Sequence, residues 1–267
     1  MSEKYKVILT GVSGKMGKTI LNGVINEPDV QVVGAVDIKL VGKDIGYLIG
    51  EDQKHIYIQD NLEQVIKDTK PQILVDFTNP QAVMKNIRIA LTNKVSAIIG
   101  TTGLTPHDME ELNLLTEKFN VPLFLAPNFA LGAVLMMRFA KEASKYFPHV
   151  EVIEKHHDQK MDAPSGTAIK TLEMIAEERN VMNQGALHEF EKIAASRGGE
   201  FQGMRVHSVR LPGLVAHQEV IFGGEGQTLT IRHDSISRDS FVPGVLLAIR
   251  NITGMKGVVY GLEKLLW

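Results

Sequence analysis

The sequence predicts an α/β protein in two blocks: a doubly wound parallel sheet in the N-terminal part, then a second, α+β domain. Three observations carry that expectation. Short β-branched runs alternate with amphipathic stretches from Tyr5 to about Pro127, as parallel βαβ units require. A glycine-spaced turn joins the first run to the first amphipathic stretch. Beyond Asn128 the alternation stops, and a long helical pattern leads into runs separated by turn residues.

In chain order, strands are expected at 5–10, 31–36, 73–77, 96–99 and 123–125, all apolar runs too short for a helix. Amphipathic helices are expected at 15–26, 81–93 and 106–119. The second block should open with a helix over 132–146, a strand at 150–156, a loop, and a helix over 167–179. A polar segment, 180–203, has few packing residues. Strands at 204–210, 218–223 and 227–234 should then form antiparallel hairpins, and the tail 242–267 reads as largely helical and apolar.

Composition narrows the chemistry. The 267 residues, 44% hydrophobic and 22% charged, suit two soluble domains with real cores. A formal net charge of −2 gives no basic excess for nucleic acid. Cysteine is absent, which excludes disulfides, zinc thiolates, iron–sulfur clusters and thiol nucleophiles. No apolar run approaches the roughly 18–20 residues that span a bilayer. Nothing near the N-terminus reads as a secretory signal, so a cytoplasmic protein is expected.

The segment Gly11-Val12-Ser13-Gly14-Lys15-Met16-Gly17 follows a strand and opens a helix, the setting of a Rossmann-like dinucleotide site. A pyrophosphate is drawn to the free N–H groups and positive dipole end of a helix N-terminus, and glycines let the backbone approach it. Val12 stands where the commoner G-x-G-x-x-G pattern has its first glycine. Asp37 ends the second strand, 20 residues past Gly17, where an acid accepts hydrogen bonds from the adenosine ribose. That carboxylate favours NADH, whereas Lys39 can pair with the 2′-phosphate of NADPH, so both cofactors stay open. Gly100-Thr101-Thr102-Gly103 and Ala126-Pro127-Asn128-Phe129 follow later strands and are placed for the nicotinamide end; as plain turns they need no function. Asp76-Phe77-Thr78 is similarly placed, with less to specify a role.

The densest chemistry lies between Glu154 and Ala168, in Glu-Lys-His-His-Asp-Gln-Lys-Met-Asp-Ala-Pro-Ser-Gly-Thr-Ala. Adjacent histidines on an extended segment face opposite ways, and no other ligand cluster accompanies them, so no metal site is expected. The loop can instead bind a carboxylate on the N–H groups near Gly166 and Thr167, with Lys160 adding an ionic contact and a histidine moving a proton. A solvated polar loop is the bland alternative.

With these residues in view, the chain resembles the 4-hydroxy-tetrahydrodipicolinate reductases (dihydrodipicolinate reductases) of the diaminopimelate route to lysine. The resemblance runs through Arg205–Gly213 and His217–Val220 and covers essentially the whole length; the His-His…Pro-Ser-Gly-Thr stretch is its most specific part. It implies hydride transfer from NADH or NADPH to an unsaturated cyclic imine dicarboxylate. It assigns Gly11, Val12, Ser13, Gly14, Lys15 and Met16 to the pyrophosphate and Asp37 to the ribose. Gly100, Thr101, Thr102, Ala126, Pro127, Asn128 and Phe129 would frame the nicotinamide end, and His157, Lys160, Gly166 and Thr167 the substrate carboxylates. His156 is the expected proton donor, with Lys160 a second. Some members carry Arg directly after the acid that ends the second strand; here Asp37 is followed by Ile38 and Lys39. The resemblance also implies a cofactor domain of 1–127 plus 241–267, a substrate and oligomerisation domain of 128–240, and a homotetramer. Arg238 precedes the final helices, either at a hinge or in a surface ion pair. Two other functions are compatible with the fold: another two-domain NAD(P)-dependent dehydrogenase of a small acid, and a non-catalytic NAD(H) sensor, which would need an output module.

Overall fold

Residues 4–267 are described by the computed structural model, and the chain divides into two compact units. One runs to Phe129 and resumes over Arg238–Trp267; the other is Ala130–Ser237.

The first unit opens with β1 (Tyr5–Thr10), α1 (Lys15–Val24), β2 (Val30–Val36), α2 (Ile45–Ile49), β3 (Ile58–Gln59) and α3 (Leu62–Thr69). It continues with β4 (Ile73–Asp76), α4 (Pro80–Thr92), β5 (Ser96–Ile99), α5 (Pro106–Phe119) and β6 (Leu123–Leu125). Asn61, Asn79 and Thr105 cap the N-termini of α3, α4 and α5, and Thr105 with Asp108 closes a capping box. The second unit holds α6 (Leu131–Ala143), β7 (His149–His156), α7 (Gly166–Ala176), β8 (Gly199–Phe201), β9 (Met204–Arg210), β10 (Ala216–Gly224) and β11 (Gln227–Ser235). The returning segment adds α8 (Val242–Asn251) and β12 (Val258–Tyr260) to the first unit.

Among the described residues the first sheet runs β12-β6-β5-β4-β1-β2-β3, every pair parallel. Its central strands are buried on both faces: Val7, Ile8 and Leu9 in β1, and Ile73, Leu74 and Val75 in β4. Helices must therefore cover both sides, as a parallel sheet demands. The order reverses between β1 and β4, which opens a crevice beyond their carboxyl ends.

The tail is less helical than expected, because Val258–Tyr260 pairs with β6 as a seventh strand. A three-residue run carries too little periodicity to reveal this. Arg250 in α8 ties the tail down: it pairs with Asp29 at 2.7 Å and Glu27 at 2.8 Å, and both bonds raise its pKa.

In the second unit the sheet order is β11-β10-β7-β9-β8. Expectation and structure part at β9, which does not form a hairpin with β10 but lies parallel to β7. The physical reason is the connection: β7 reaches β9 through α7 and a long segment, a crossover rather than a tight turn. The antiparallel pairs are β10 with β7, β10 with β11, and β8 with β9. The β8–β9 turn places both Gln202 and Gly203 at positive φ, the conformation of a type I′ hairpin. The polar segment before it is anchored by Arg179, whose buried guanidinium donates to the carbonyls of Pro148, Met182 and Gln202. Burial lowers the pKa of that guanidinium. Val150, Val152, Leu172, Ile175, Val206 and Phe222 form the core between sheet and helices. The opposite sheet face carries an ion ladder in which Glu219 pairs with Lys155 and Arg232, and Asp234 with Arg232 and His217.

Candidate functional site

Candidate chemistry lies in each unit. In the first, a cavity of about 680 Å³ is lined by Gly11, Ser13, Gly14, Asp37, Ile38 and Lys39, together with Asp60–Glu63 and residues of α4. Gly11 sits at φ +77°, and a Cβ there would stand 2.5 Å from the Phe77 carbonyl oxygen, so only glycine fits this close approach of the β1 and β4 loops. Gly14 N-caps α1, whose first turn carries neither a side-chain cap nor an acid. That leaves a helix N-terminus suited to phosphate, bordered by Lys15 and Met16. Val12 is fully buried, and its apolar side chain offers a phosphate no hydrogen bond. Asp37 is pre-oriented: its two oxygens accept from Ser13 N and Lys39 N, both at 2.9 Å. Ser13 Oγ donates to the Lys39 carbonyl.

A second cavity of about 300 Å³ is lined by Thr101, Thr102, Ala126, Pro127, Met109 and Tyr260. Gly100 lies beneath the Phe77 ring, where a Cβ would come within 2.1 Å of it. Asn128 belongs to the same loop, while the Phe129 ring is buried against Phe77 and Phe124, 5.7 and 6.0 Å between centroids. Phe129 therefore faces the core rather than the cavity.

Asp76, to which sequence reasoning attached little, is the hub of this end. Its fully buried carboxylate accepts from Thr10 Oγ1, Thr78 N and Oγ1, Asn86 Nδ2 and Thr101 Oγ1, at 2.7–3.0 Å. It thus links the loops after β1, β4 and β5.

In the second unit the polar cluster follows β7. Side chains alternate along that strand, so Val150, Val152, Glu154 and His156 share the inner face. Glu154 is fully buried; Arg210 grips it at 2.7 and 2.9 Å, and Ser165 N donates at 3.3 Å. The His156 ring meets it through Nδ1 at 2.5 Å. Burial works to raise the Glu154 carboxyl, but hydrogen bonds from His156, Arg210 and Ser208 outweigh it and hold it down at about 2. Lys160 is engaged by Asp162 at 2.6 Å. Ser165 caps α7 by accepting from Ala168 N, so Gly166 and Thr167 form its first turn, and a Cβ at Gly166 would meet open space. His157 begins the turn, and its backbone carbonyl accepts from Lys160 N. Arg238 opens the returning segment. Among the described residues no group of three or more His, Cys, Asp or Glu could hold a metal ion.

Sequence reasoning quoted Glu154 and Arg210 without giving either a role. The available signal was strand periodicity, since Glu154 lies two residues from His156 on one face. The partnership with Arg210 needs the parallel β7–β9 register and was not legible.

Two family models match: "Dihydrodipicolinate reductase, N-terminus" over residues 5–129 and "Dihydrodipicolinate reductase, C-terminus" over 132–266. Curated relatives carry the name 4-hydroxy-tetrahydrodipicolinate reductase. That of Syntrophomonas wolfei is 53% identical over 266 residues, covering 100% of both chains. That of Desulfitobacterium hafniense is 52% identical over 265 residues, 99% of each. A solved structure, the dipicolinate-bound dihydrodipicolinate reductase of Paenisporosarcina sp. TG-14, is 44% identical with a TM-score of 0.87, covering 98% of this chain and 99% of the other. An amine dehydrogenase from Mycobacterium smegmatis, 16% identical with a TM-score of 0.66, covering 96% and 94%, shares the fold.

Proposed function

The chain belongs to the dihydrodipicolinate reductase family, and from that premise we propose how its residues carry the family's reaction. It catalyses the NAD(P)H-dependent reduction of 4-hydroxy-tetrahydrodipicolinate to tetrahydrodipicolinate, in diaminopimelate and lysine biosynthesis. Neither another dehydrogenase activity nor a sensing role gains support, since the identity to these reductases runs through the whole chain.

The first unit fits the cofactor: the N-terminus of α1 carries neither a side-chain cap nor an acid, and Gly11, Ser13 and Gly14 line a cavity of about 680 Å³. Gly11 to Met16 hold the pyrophosphate on backbone N–H groups. Asp37 takes the adenosine ribose on its remaining lone pairs, and Lys39 meets a 2′-phosphate when one is present. Gly100, Thr101, Thr102, Ala126, Pro127 and Asn128 frame the nicotinamide end, with Phe129 supporting them from the core. Bound NADH or NADPH supplies the hydride.

In the second unit, substrate carboxylates are gripped by His157, by the amides of Gly166 and Thr167, and by Lys160. To bind, the substrate takes the place of Asp162, an exposed acid that solvent readily releases. His156 gives its Nε2 proton to the ring as negative charge builds, and Lys160 stabilises that charge as a second donor. One observation carries the assignment: His156 Nδ1 lies 2.5 Å from a buried carboxylate, so Nε2 is left to act.

A homotetramer is assigned on the family premise, and sedimentation measures it. On the family premise we assign the protein to the cytoplasm; no helix of the described residues is long and apolar enough to cross a membrane. The reaction itself is tested with aspartate semialdehyde, pyruvate and the preceding synthase. NAD(P)H absorbance should fall only when all three and this protein are present; no fall with active synthase would overturn the function.

A further inference from the structure

We propose that Glu154 is a positioning residue for this reduction: it fixes the His156 ring through Nδ1–H, so that Nε2 is the nitrogen that hands over the proton. The proposal rests on the assignment of His156 as proton donor. Strand alternation places the two side chains on one face of β7, and they meet at 2.5 Å. An ionised carboxylate only accepts hydrogen bonds, so Nδ1 must carry a hydrogen. Glu154 stays ionised because Arg210 grips both its oxygens, and its carboxyl is held at about 2.

The proton balance follows. The imidazolium, with hydrogens on both nitrogens, gives the Nε2 proton to the substrate ring and becomes the neutral Nδ1–H tautomer. Glu154 takes no proton at any stage. Solvent restores the Nε2 proton after product leaves. The same division of labour, with a buried acid orienting a histidine without being protonated, is known from hydrolytic triads.

Glu154 also reaches the anion-binding end of the loop. It accepts from Ser165 N at the cap of α7, and its partner Arg210 donates to the Asp162 carbonyl at 2.8 Å. Glu154 from β7 itself thus meets the ring, and Arg210 from β9 holds Glu154. A glutamine at 154 keeps the shape and an acceptor for Ser165, but its NH₂ can donate to Nδ1 and favour the opposite, Nε2–H tautomer.

The test joins spectroscopy to kinetics on the full-length enzyme labelled with ¹⁵N-histidine. The His156 signal, identified by its loss in His156→Gln, should show Nδ1–H in the neutral wild-type ring and Nε2–H in Glu154→Gln. Glu154→Gln should lower kcat by about 10²–10³-fold, with KM for both substrates within about threefold. Glu154→Asp should restore part of kcat. The double variant should be no slower than His156→Gln alone, because both act through one ring. An Nε2–H tautomer in the wild type overturns the proposal, and that reading survives even if Glu154→Gln fails to fold. Losses that multiply in the double variant, with His156→Gln itself impaired, overturn the proposal alone. Unchanged kcat in His156→Gln overturns the donor assignment and the proposal with it.

Discussion

Arg210→Met is the sharpest probe of how the second unit is held together. Methionine keeps most of the side-chain volume and removes both hydrogen bonds to Glu154, which is fully buried. The Glu154 carboxyl lies at about 2 against an ordinary value of 4.5. At about 1.4 kcal/mol per pKa unit, the folded state gains about 3 kcal/mol at neutral pH from keeping this group ionised. His156, Arg210 and Ser208 share that gain, against the cost of burial. Taking away the guanidinium leaves a buried anion short of its cation, and such losses run to about 3–5 kcal/mol. We expect about 3 kcal/mol, read as a lower urea midpoint by far-UV circular dichroism at pH 7. The sign with pH follows from the lowered pKa: the stabilisation is complete above about 4.5 and is lost as pH falls towards 2. In Arg210→Met the carboxyl titrates nearer its ordinary value, so less stability is left to lose between about 4.5 and 2, and the gap between variant and wild type should narrow as pH falls through that window. A variant within about 1 kcal/mol of wild type at pH 7, with the same acid profile, would refute the reasoning.

Three further outcomes are expected. Asp76→Asn removes one carboxylate oxygen from a five-bond hub that reaches Thr101, and should raise KM for the cofactor about tenfold, or about 1.4 kcal/mol, while sparing KM for the dicarboxylate; initial-rate kinetics with each substrate varied would show the split. Lys39→Ala should weaken NADPH and spare NADH, and in the wild type the two KM values should lie within about tenfold, with added salt weakening NADPH more steeply. Lys160→Ala should raise KM for the dicarboxylate and lower kcat together, whereas unchanged constants would mean that the Lys160–Asp162 pair is only a surface contact.

The parts legible in the sequence are those whose physics is local. The strand–glycine turn–helix over 5–17 announces itself because one chain segment contains the strand, the turn and the helix start. Likewise β4, β5 and β6 stand out as apolar runs bounded by polar turns. The region 37–72 hides α2 and β3, because a two-residue strand and a five-residue helix carry no readable period; α3 is legible in Asn61 and the Leu62, Val65, Ile66 spacing, yet it is missing from the expected elements. Parallel pairing of β7 with β9 is a long-range choice set by the crossover through α7, and turn residues cannot reveal it. For the same reason the residue types of the polar loop could be read from the chain, but not the buried Arg210–Glu154–His156 arrangement behind it. The role of Asp76 is not legible, because its partners are hydroxyls and amides spread over β1, two loops and α4.

The central claim is that His156 delivers the proton in the reduction, and one steady-state comparison tests it most directly. His156→Gln and the wild type are assayed at saturating dicarboxylate with NADH varied, alongside a binding titration of NADH without substrate. The account predicts a kcat lower by about 10²–10⁴-fold with NADH affinity unchanged, because the residue lies in the second unit and the glycine turn in the first. A kcat near that of the wild type would contradict it.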